Sequence, residues 1–282
     1  MSAAPKTCVV TGGSSGIGLE TARGMAARGY RVLLVGRNPE RTPAAAAQIR
    51  TSTGNEQVDH LLADFSSLAE VRTLAAAITA RVPRLDVLIN NAGLWHPERR
   101  LSADGFEDTF AVNHLATFLL TSLLLPVIEA ARGRVVVVSS RYHLKPRALP
   151  LDDIHRVESA PYRGMRVYQQ SKLCNVLFAN ELARRVQPRG VTAYSVHPGD
   201  VSTGIMRDNK VLAWLIGIAN RWILLTPEEG ARTSIHAATA NHGGATGLYF
   251  ADSKVAKQSP LAGDEDLARR LWELSERLVA GC

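Results

Sequence analysis

The sequence predicts an α/β fold in a single domain covering 1–282, and three features carry that expectation. Short apolar runs alternate with segments of helical spacing along nearly the whole chain. The apolar runs are rich in Val, Ile and Leu without clean alternation, as in strands covered on both faces. No internal repeat, linker or low-complexity tract divides the chain, and the alanines at 44–47 read as a helix interior. A parallel sheet of about seven strands with helices on both faces is therefore expected.

The first strand is expected at 7–11, followed by the glycine-rich stretch TGGSSGIG at 11–18 and a helix over 16–28. A strand at 31–35 precedes a helix over 39–51. A strand at 57–62 precedes a helix over 68–81, where Ser67 and Glu70 have capping-box spacing. The fourth strand, 86–90, leads into a helical stretch over 103–131, and the fifth is expected at 134–139. The stretch 141–165 then carries Pro146, Pro150, Pro161 and Gly164. It is too long for an ordinary connection and is expected to hold function or local structure of its own. A helix over 166–185, a strand at 191–197 and a helix over 227–240 follow. Thr226-Pro227-Glu228-Glu229 opens that helix with an N-cap, a proline at the first position and a box glutamate. A strand at 247–250 and a helix over 264–278 complete the pattern.

A hydrophobic fraction of 46% is ample for a buried core. The net charge of +7 comes from basic residues scattered in ones and twos, such as Arg99-Arg100 and Arg184-Arg185. That scatter describes a solvated surface, or one suited to anionic small molecules, and no nucleic-acid partner is expected. Cys8, Cys174 and Cys282 are odd in number and far apart, so a disulfide framework is not expected and a reducing, cytoplasmic setting is. The start MSAAPKTCVV lacks the pattern of a signal segment. The apolar stretch 211–225 is too short to span a bilayer and is interrupted by Asn220 and Arg221, so no transmembrane segment is expected. His114, His143 and His155 lack metal-ligand spacing, and no metal site is expected.

The glycine loop carries the first chemistry. Gly12, Gly16 and Gly18, with Ser14, Ser15 and Ile17 between them, stand where a strand turns into a helix. Glycines permit a tight turn and close backbone approach, and the helix start offers free N–H groups to a pyrophosphate. The same residues satisfy G-x-S-x-G, the turn of hydrolase nucleophiles. That turn needs earlier strands, and only eleven residues precede Gly12, so the dinucleotide reading is preferred. It makes the expected sheet a Rossmann-type, doubly wound one. An NAD site of this kind carries an acid about 20 residues on. Here Gly36 and Arg37 stand at the end of the second strand, with space and a guanidinium suited to a phosphate, which favours NADP(H). The alternative is that Arg37 is an ordinary loop arginine.

Tyr168 and Lys172, four apart, share one helix face. A phenol of pKa about 10 is a poor acid or base at neutral pH, and a nearby cation lowers that value. The pair becomes informative beside the cofactor loop and the serines Ser139 and Ser140.

With these motifs the chain resembles the short-chain dehydrogenase/reductase family over nearly its whole length. The resemblance rests on TGGSSGIG at 11–18, NNAG at 90–93, Asn113 in FAVNHLATF, Ser139-Ser140, YQQSK at 168–172 and HPGDVST at 197–203. The retinol dehydrogenase-like branch looks most similar, through ELARR at 181–185, YSVHPG at 194–199, TPEEGARTS at 226–234 and RRLWELSERLV at 269–279. The resemblance implies that Asn113, Ser140, Tyr168 and Lys172 are catalytic, with Ser140 favoured over its neighbour Ser139. It implies that Asp64 and Phe65 meet the adenine, that Asn91, Ala92 and Gly93 line the cofactor, and that Asn90 supports its strand. Pro198, Gly199, Val201 and Thr203 would hold the nicotinamide carboxamide, and Lys172 would also grip the ribose.

The activity expected is reversible, NADPH-dependent reduction of a hydrophobic ketone or aldehyde. Reduction of an activated C=C bond and NADPH binding without turnover are the alternatives. Ser140 and Tyr168 stand 28 positions apart, wider than in the simplest members, and the excess resembles an insertion of the retinol dehydrogenase-like branch bordering the active-site mouth. The apolar residues Trp214, Leu215, Ile218 and Trp222 suggest a substrate lid near 201–226, or else core or interface. The resemblance also implies a homodimer or homotetramer through the helices at 103–131 and 166–185. Leu123, Leu124, Val176 and Phe178 are available there, as interface or as core.

Overall fold

In the computed structural model eight strands form one sheet in the order β3–β2–β1–β4–β5–β6–β7–β8. The residues described are 5–158, 161–200 and 225–281, so the stretch 211–225 but for Leu225, and the lid expected near 201–226 but for Leu225 and Thr226, lie outside them. The strands are β1 (Thr7–Thr11), β2 (Arg31–Gly36), β3 (Val58–Leu62), β4 (Val87–Asn90), β5 (Arg134–Val138), β6 (Thr192–His197), β7 (Leu248–Ala251) and β8 (Lys254–Val255). All neighbours pair in parallel except β7 and β8. The two-residue β8 is too short to leave a pattern in the sequence. It caps one sheet edge with an exposed lysine and valine, and a short edge strand bearing a lysine discourages further pairing.

Successive strand residues alternate between two separate cores. Val9, Leu33, Leu88, Val135 and Val137 belong to one, and Cys8, Val10, Leu34, Ile89, Val136 and Val138 to the other. The first core is closed by α3 (Leu68–Arg81), α4 (Asp108–Ala131), α5 (Gly164–Val186) and α7 (Glu265–Ala280). The second is closed by α1 (Gly16–Ala26), α2 (Arg41–Thr53) and α6 (Pro227–Thr239). In the inner strands, with both faces buried, apolar side chains are favoured at nearly every position, which is why the sequence shows runs without alternation there.

Several boundaries differ from the sequence expectation. The helix expected from 103 begins at Asp108, because the fully buried Glu107 turns its carboxylate back to accept from Phe110 N–H at 2.7 Å and caps the start. Ser67 accepts from Glu70 N–H, but Glu70 does not complete the box. Its carboxylate takes the Asp64 N–H instead, at 2.7 Å. The box at Thr226 and Glu229 is complete. Within α4, residues Ala111–Leu115 form a π-helical turn.

α4 has 24 residues and is long and apolar enough to cross a membrane by length and composition, and 78% of its most apolar window is buried inside the fold. The apolar residues offered above for an oligomer face are mostly core. α7 lies across α5, with Trp272 stacked on Phe178 and edge-on to Phe118, at ring distances of 5.8 and 4.9 Å. Leu124, Val176 and Phe178 are buried there, and Leu123 alone is exposed.

Candidate active site

The strand order reverses between β1 and β4, and a crevice opens beyond the carboxyl ends of the strands at such a point. A cleft of about 620 Å³ lies there, running from Arg37 and Asp64 past the glycine loop to Tyr168, Lys172 and Pro198.

At the glycine end the wall is main chain. Gly12 and Gly16 hold positive φ angles of 66° and 56°, which let the loop double back before α1. Gly18 has no room for a side chain, since a Cβ would lie 2.2 Å from the carbonyl oxygen of Gly12. Ser14, Ser15, Gly16, Ile17 and Gly18 line the cleft, and Ser15 makes no side-chain cap to the first turn of α1. That turn holds no acidic residue either, so its N–H groups are available to an anion. Asn91 braces the loop by donating to the Thr11 carbonyl at 2.9 Å. Thr11 Oγ1 in return accepts from the N–H groups of Asn91 and Ala92. Asn90 faces the other way and donates to Thr121 Oγ1 at 2.9 Å, supporting the strand end as expected.

The outer rim carries charge. A Cβ at Gly36 would lie 2.9 Å from Ser14 Oγ, so this glycine lets the loop approach β2. Arg37 is 66% exposed, and its guanidinium lies 4.0 Å from the Asp64 carboxylate. Arg41, which sequence reasoning missed, lines the same rim from the first position of α2. The readable signal was its charge, since a cation in the first turn opposes the helix dipole unless an anion comes to meet it. Asp64 also accepts from Ser66 N–H at 2.9 Å, and Phe65 is buried beside it.

At the other end the wall is made of buried polar side chains. Asn113 stands on the π-turn of α4, fully buried. Its Oδ1 accepts from Leu94 N–H at 2.8 Å, and its Nδ2 donates to Leu94 O and to Ser171 Oγ at 3.0 and 2.9 Å. Ser171, also missed, donates onward to the Tyr168 carbonyl at 2.9 Å and so ties Asn113 to α5. Gly93 sits between the two elements, where a Cβ would lie 3.1 Å from Asn113 Oδ1 and 3.4 Å from Lys172 Nζ. The two serines are distinct. Ser139 donates its hydroxyl to the Lys172 carbonyl at 2.7 Å, whereas Ser140 Oγ accepts from the Tyr142 N–H at 3.3 Å and lies close enough to the Tyr168 phenol to favour its ionised form.

Burial dominates the titration here. It pushes Tyr168 up to about 12, against the hydrogen bond from Ser140, with Tyr142 pushing the same way as burial. It pushes Lys172 down to about 8. Lys172 Nζ donates to Val138 O at 3.2 Å and lies 5.6 Å from the centre of the Tyr168 ring. The sequence expectation that this cation lowers the phenol is not met: loss of water around the hydroxyl raises it, and the opposing influence comes from Ser140.

Asn113 and Ser140 lie just behind the cleft wall, and Pro198 closes its far side. Gly199, next in the chain, has φ +84° and packs against Leu225. Val201 and Thr203 lie outside the described residues.

A family model described as short chain dehydrogenase matches residues 6–150. The chain is 42% identical to human retinol dehydrogenase 11, over 96% of this chain and 84% of that protein. It is 41% identical to human dehydrogenase/reductase SDR family member 13, over 97% and 73%. Among solved structures, an uncharacterised protein from Mycobacterium paratuberculosis superposes with a TM-score of 0.79 at 33% identity, covering 98% of this chain and 93% of that one. A short chain dehydrogenase from Escherichia coli CFT073, complexed with NADPH, superposes with a TM-score of 0.71 at 27% identity, over 88% and 97%.

Proposed function

The chain belongs to the short-chain dehydrogenase/reductase family and is an oxidoreductase acting on CH–OH and C=O groups, and from that premise we propose that it reduces a lipophilic ketone or aldehyde with NADPH. The single observation that carries this reading is that Tyr168 and Lys172, with Lys172 Nζ 5.6 Å from the phenol ring centre, both line one end of a cleft whose other end suits a dinucleotide.

The residues fit the cofactor. The open first turn of α1 and the side-chain-free surface at Gly18 would hold a pyrophosphate, and Arg37 and Arg41 would hold a 2′-phosphate on the adenosine ribose. Asp64 and Phe65 would flank the adenine. Asn91, Ala92, Gly93, Pro198 and Gly199 would border the nicotinamide end, with Val201 and Thr203 following in the chain. Held there, the cofactor would supply the hydride that the carbonyl carbon gains.

The chain's own residues manage the charge that follows. Ser140 donates to the carbonyl oxygen as it becomes negative, and Tyr168 delivers the proton. A phenol held near 12 keeps its proton at neutral pH, as reduction requires. Lys172 would hold the nicotinamide ribose and, cationic at neutral pH, stabilise the phenolate left behind. Asn113 fixes the backbone at Leu94 and hence the wall facing Lys172. Leu94, Trp95 and Val112 make the wall beyond Gly93 largely apolar, which suits a lipophilic substrate of the kind for which retinol dehydrogenase 11 is named.

A screen of hydrophobic aldehydes and ketones, following NADPH and NADH oxidation in parallel, tests the reading. Turnover with NADPH of at least one such carbonyl, at higher kcat/KM than with NADH, is expected. Tight NADPH binding with no oxidation across the panel would overturn it.

A further inference from the structure

We propose that His143 is the positioning residue that aims Ser140 at the substrate oxygen, a role that rests on the reading of Ser140 given above. After β5 the chain passes through Ser140 in extended conformation and enters a single 3-10 turn, Arg141–Leu144, with His143 on its inner side. The Ser140 hydroxyl caps this turn by accepting the Tyr142 N–H at 3.3 Å, a long bond that holds the entry residue only weakly.

His143 supplies the hold. It is fully buried, with Nδ1 2.7 Å from the Ser140 carbonyl oxygen. Its Nε2 accepts from the Ser259 N–H at 3.2 Å, and its ring lies 4.6 Å from that of Tyr249 on β7. The two contacts fix the tautomer. A backbone N–H can only donate, so Nε2 must present its lone pair. A carbonyl can only accept, so Nδ1 must carry the proton. Only the neutral Nδ1–H imidazole makes both bonds, and burial, against the pull of the Ser140 carbonyl, lowers its pKa and favours that form.

The Ser140 carbonyl also takes the His143 main-chain N–H at 3.1 Å, so the peptide leaving Ser140 is gripped twice. Fixing that peptide fixes the direction of the Ser140 Cβ and of the hydroxyl that meets Tyr168. Ser259 leads into the turn Pro260–Gly263, whose Ala262 carbonyl is held by Asn180 of α5 at 2.9 Å. His143 therefore references Ser140 to the same helix that carries Tyr168 and Lys172, through the C-terminal segment. Reacting groups displaced by about 1 Å can lose on the order of 100-fold in rate, which makes such a reference worth having.

The two ring nitrogens can be replaced separately. In His143→Asn the amide N–H stands where Nδ1–H stood and keeps the grip on Ser140. In His143→Gln the amide reaches toward Ser259 and leaves Ser140 free. Both would be assayed for single-turnover reduction of a carbonyl that the wild type accepts, with NADPH Kd measured by fluorescence, alongside Ser140→Ala and the two double variants. The expected result is kcat within about 3-fold of wild type for Asn, a fall of roughly 10–100-fold for Gln, and NADPH Kd unchanged in both. In the Ser140→Ala background, itself down by about 100-fold or more, the Gln change should cost less than about 3-fold. Equal costs of Gln in both backgrounds, or Gln active and Asn impaired, would overturn the positioning role alone. Full activity of Ser140→Ala would overturn the reading of Ser140 and this inference with it.

Discussion

The Arg37 end of the cleft is walled by glycines, main-chain N–H groups and exposed guanidinium groups, whereas the Tyr168 end is walled by buried side chains that bond one another. At the first end the shape comes from missing side chains, and the charged groups stay in water. At the second, Asn113, Ser139, Ser171 and Lys172 each spend hydrogen bonds on a neighbouring backbone or side chain, and burial moves both titrating groups away from their usual values. A tolerant end that binds by geometry is thus joined to a brittle end that reacts by preorganisation. Substitutions should separate the two, with losses in binding at one end and in rate at the other.

Lys172→Met gives the largest expected effect at the reacting end, a fall in kcat of about 1,000-fold or more. The same change should stabilise the fold. A buried lysine whose pKa drops from 10.5 to about 8 binds fewer protons folded than unfolded between those values. Its burial therefore weakens the fold most at and below pH 8, and the cost fades as pH rises toward 10.5. Calorimetry at pH 7 should show a higher Tm for Lys172→Met by a few degrees, and an unchanged or lower Tm would mean that Lys172 is not held against its solvation.

The pH profile follows from the same group. The free enzyme needs Tyr168 protonated and Lys172 cationic for reduction, so kcat/KM should be flat at neutral pH and fall as pH passes about 8. A profile flat to pH 10 would assign the cation elsewhere. The smallest effect belongs to the outer rim. Arg37→Asp should weaken NADPH by roughly 10–100-fold, improve NADH relative to it, and leave single-turnover kcat at saturating cofactor nearly untouched. Equal NADPH affinity in the variant would leave the rim without a phosphate-binding role.

The same contrast explains what was legible in the sequence. The glycine end could be read because its residue types are forced: Gly12, Gly16 and Gly18 answer to a turn and a close approach that other residues do not permit. The strands could be read because two-sided burial leaves a run of Val, Leu and Ile. Arg41 escaped although the expected helix placed it in a first turn, because only the folded loop brings that turn to the same rim as Arg37. At the reacting end the residue types were visible and their coupling was not. Nothing in the spacing of Tyr168 and Lys172 says that desolvation would set the phenol's pKa, and the different hydrogen bonds of Ser139 and Ser140 show only in the structure. Likewise Phe178 and Val176 look like an interface until Trp272, almost a hundred positions on, is found covering Phe178.

The most direct test of the account is single-turnover reduction of an accepted aldehyde or ketone by Tyr168→Phe preloaded with NADPH. The expected result is NADPH Kd within about 2-fold of wild type and a reduction rate lower by at least about 1,000-fold. A wild-type rate in that variant would contradict the assignment of Tyr168 as the proton donor.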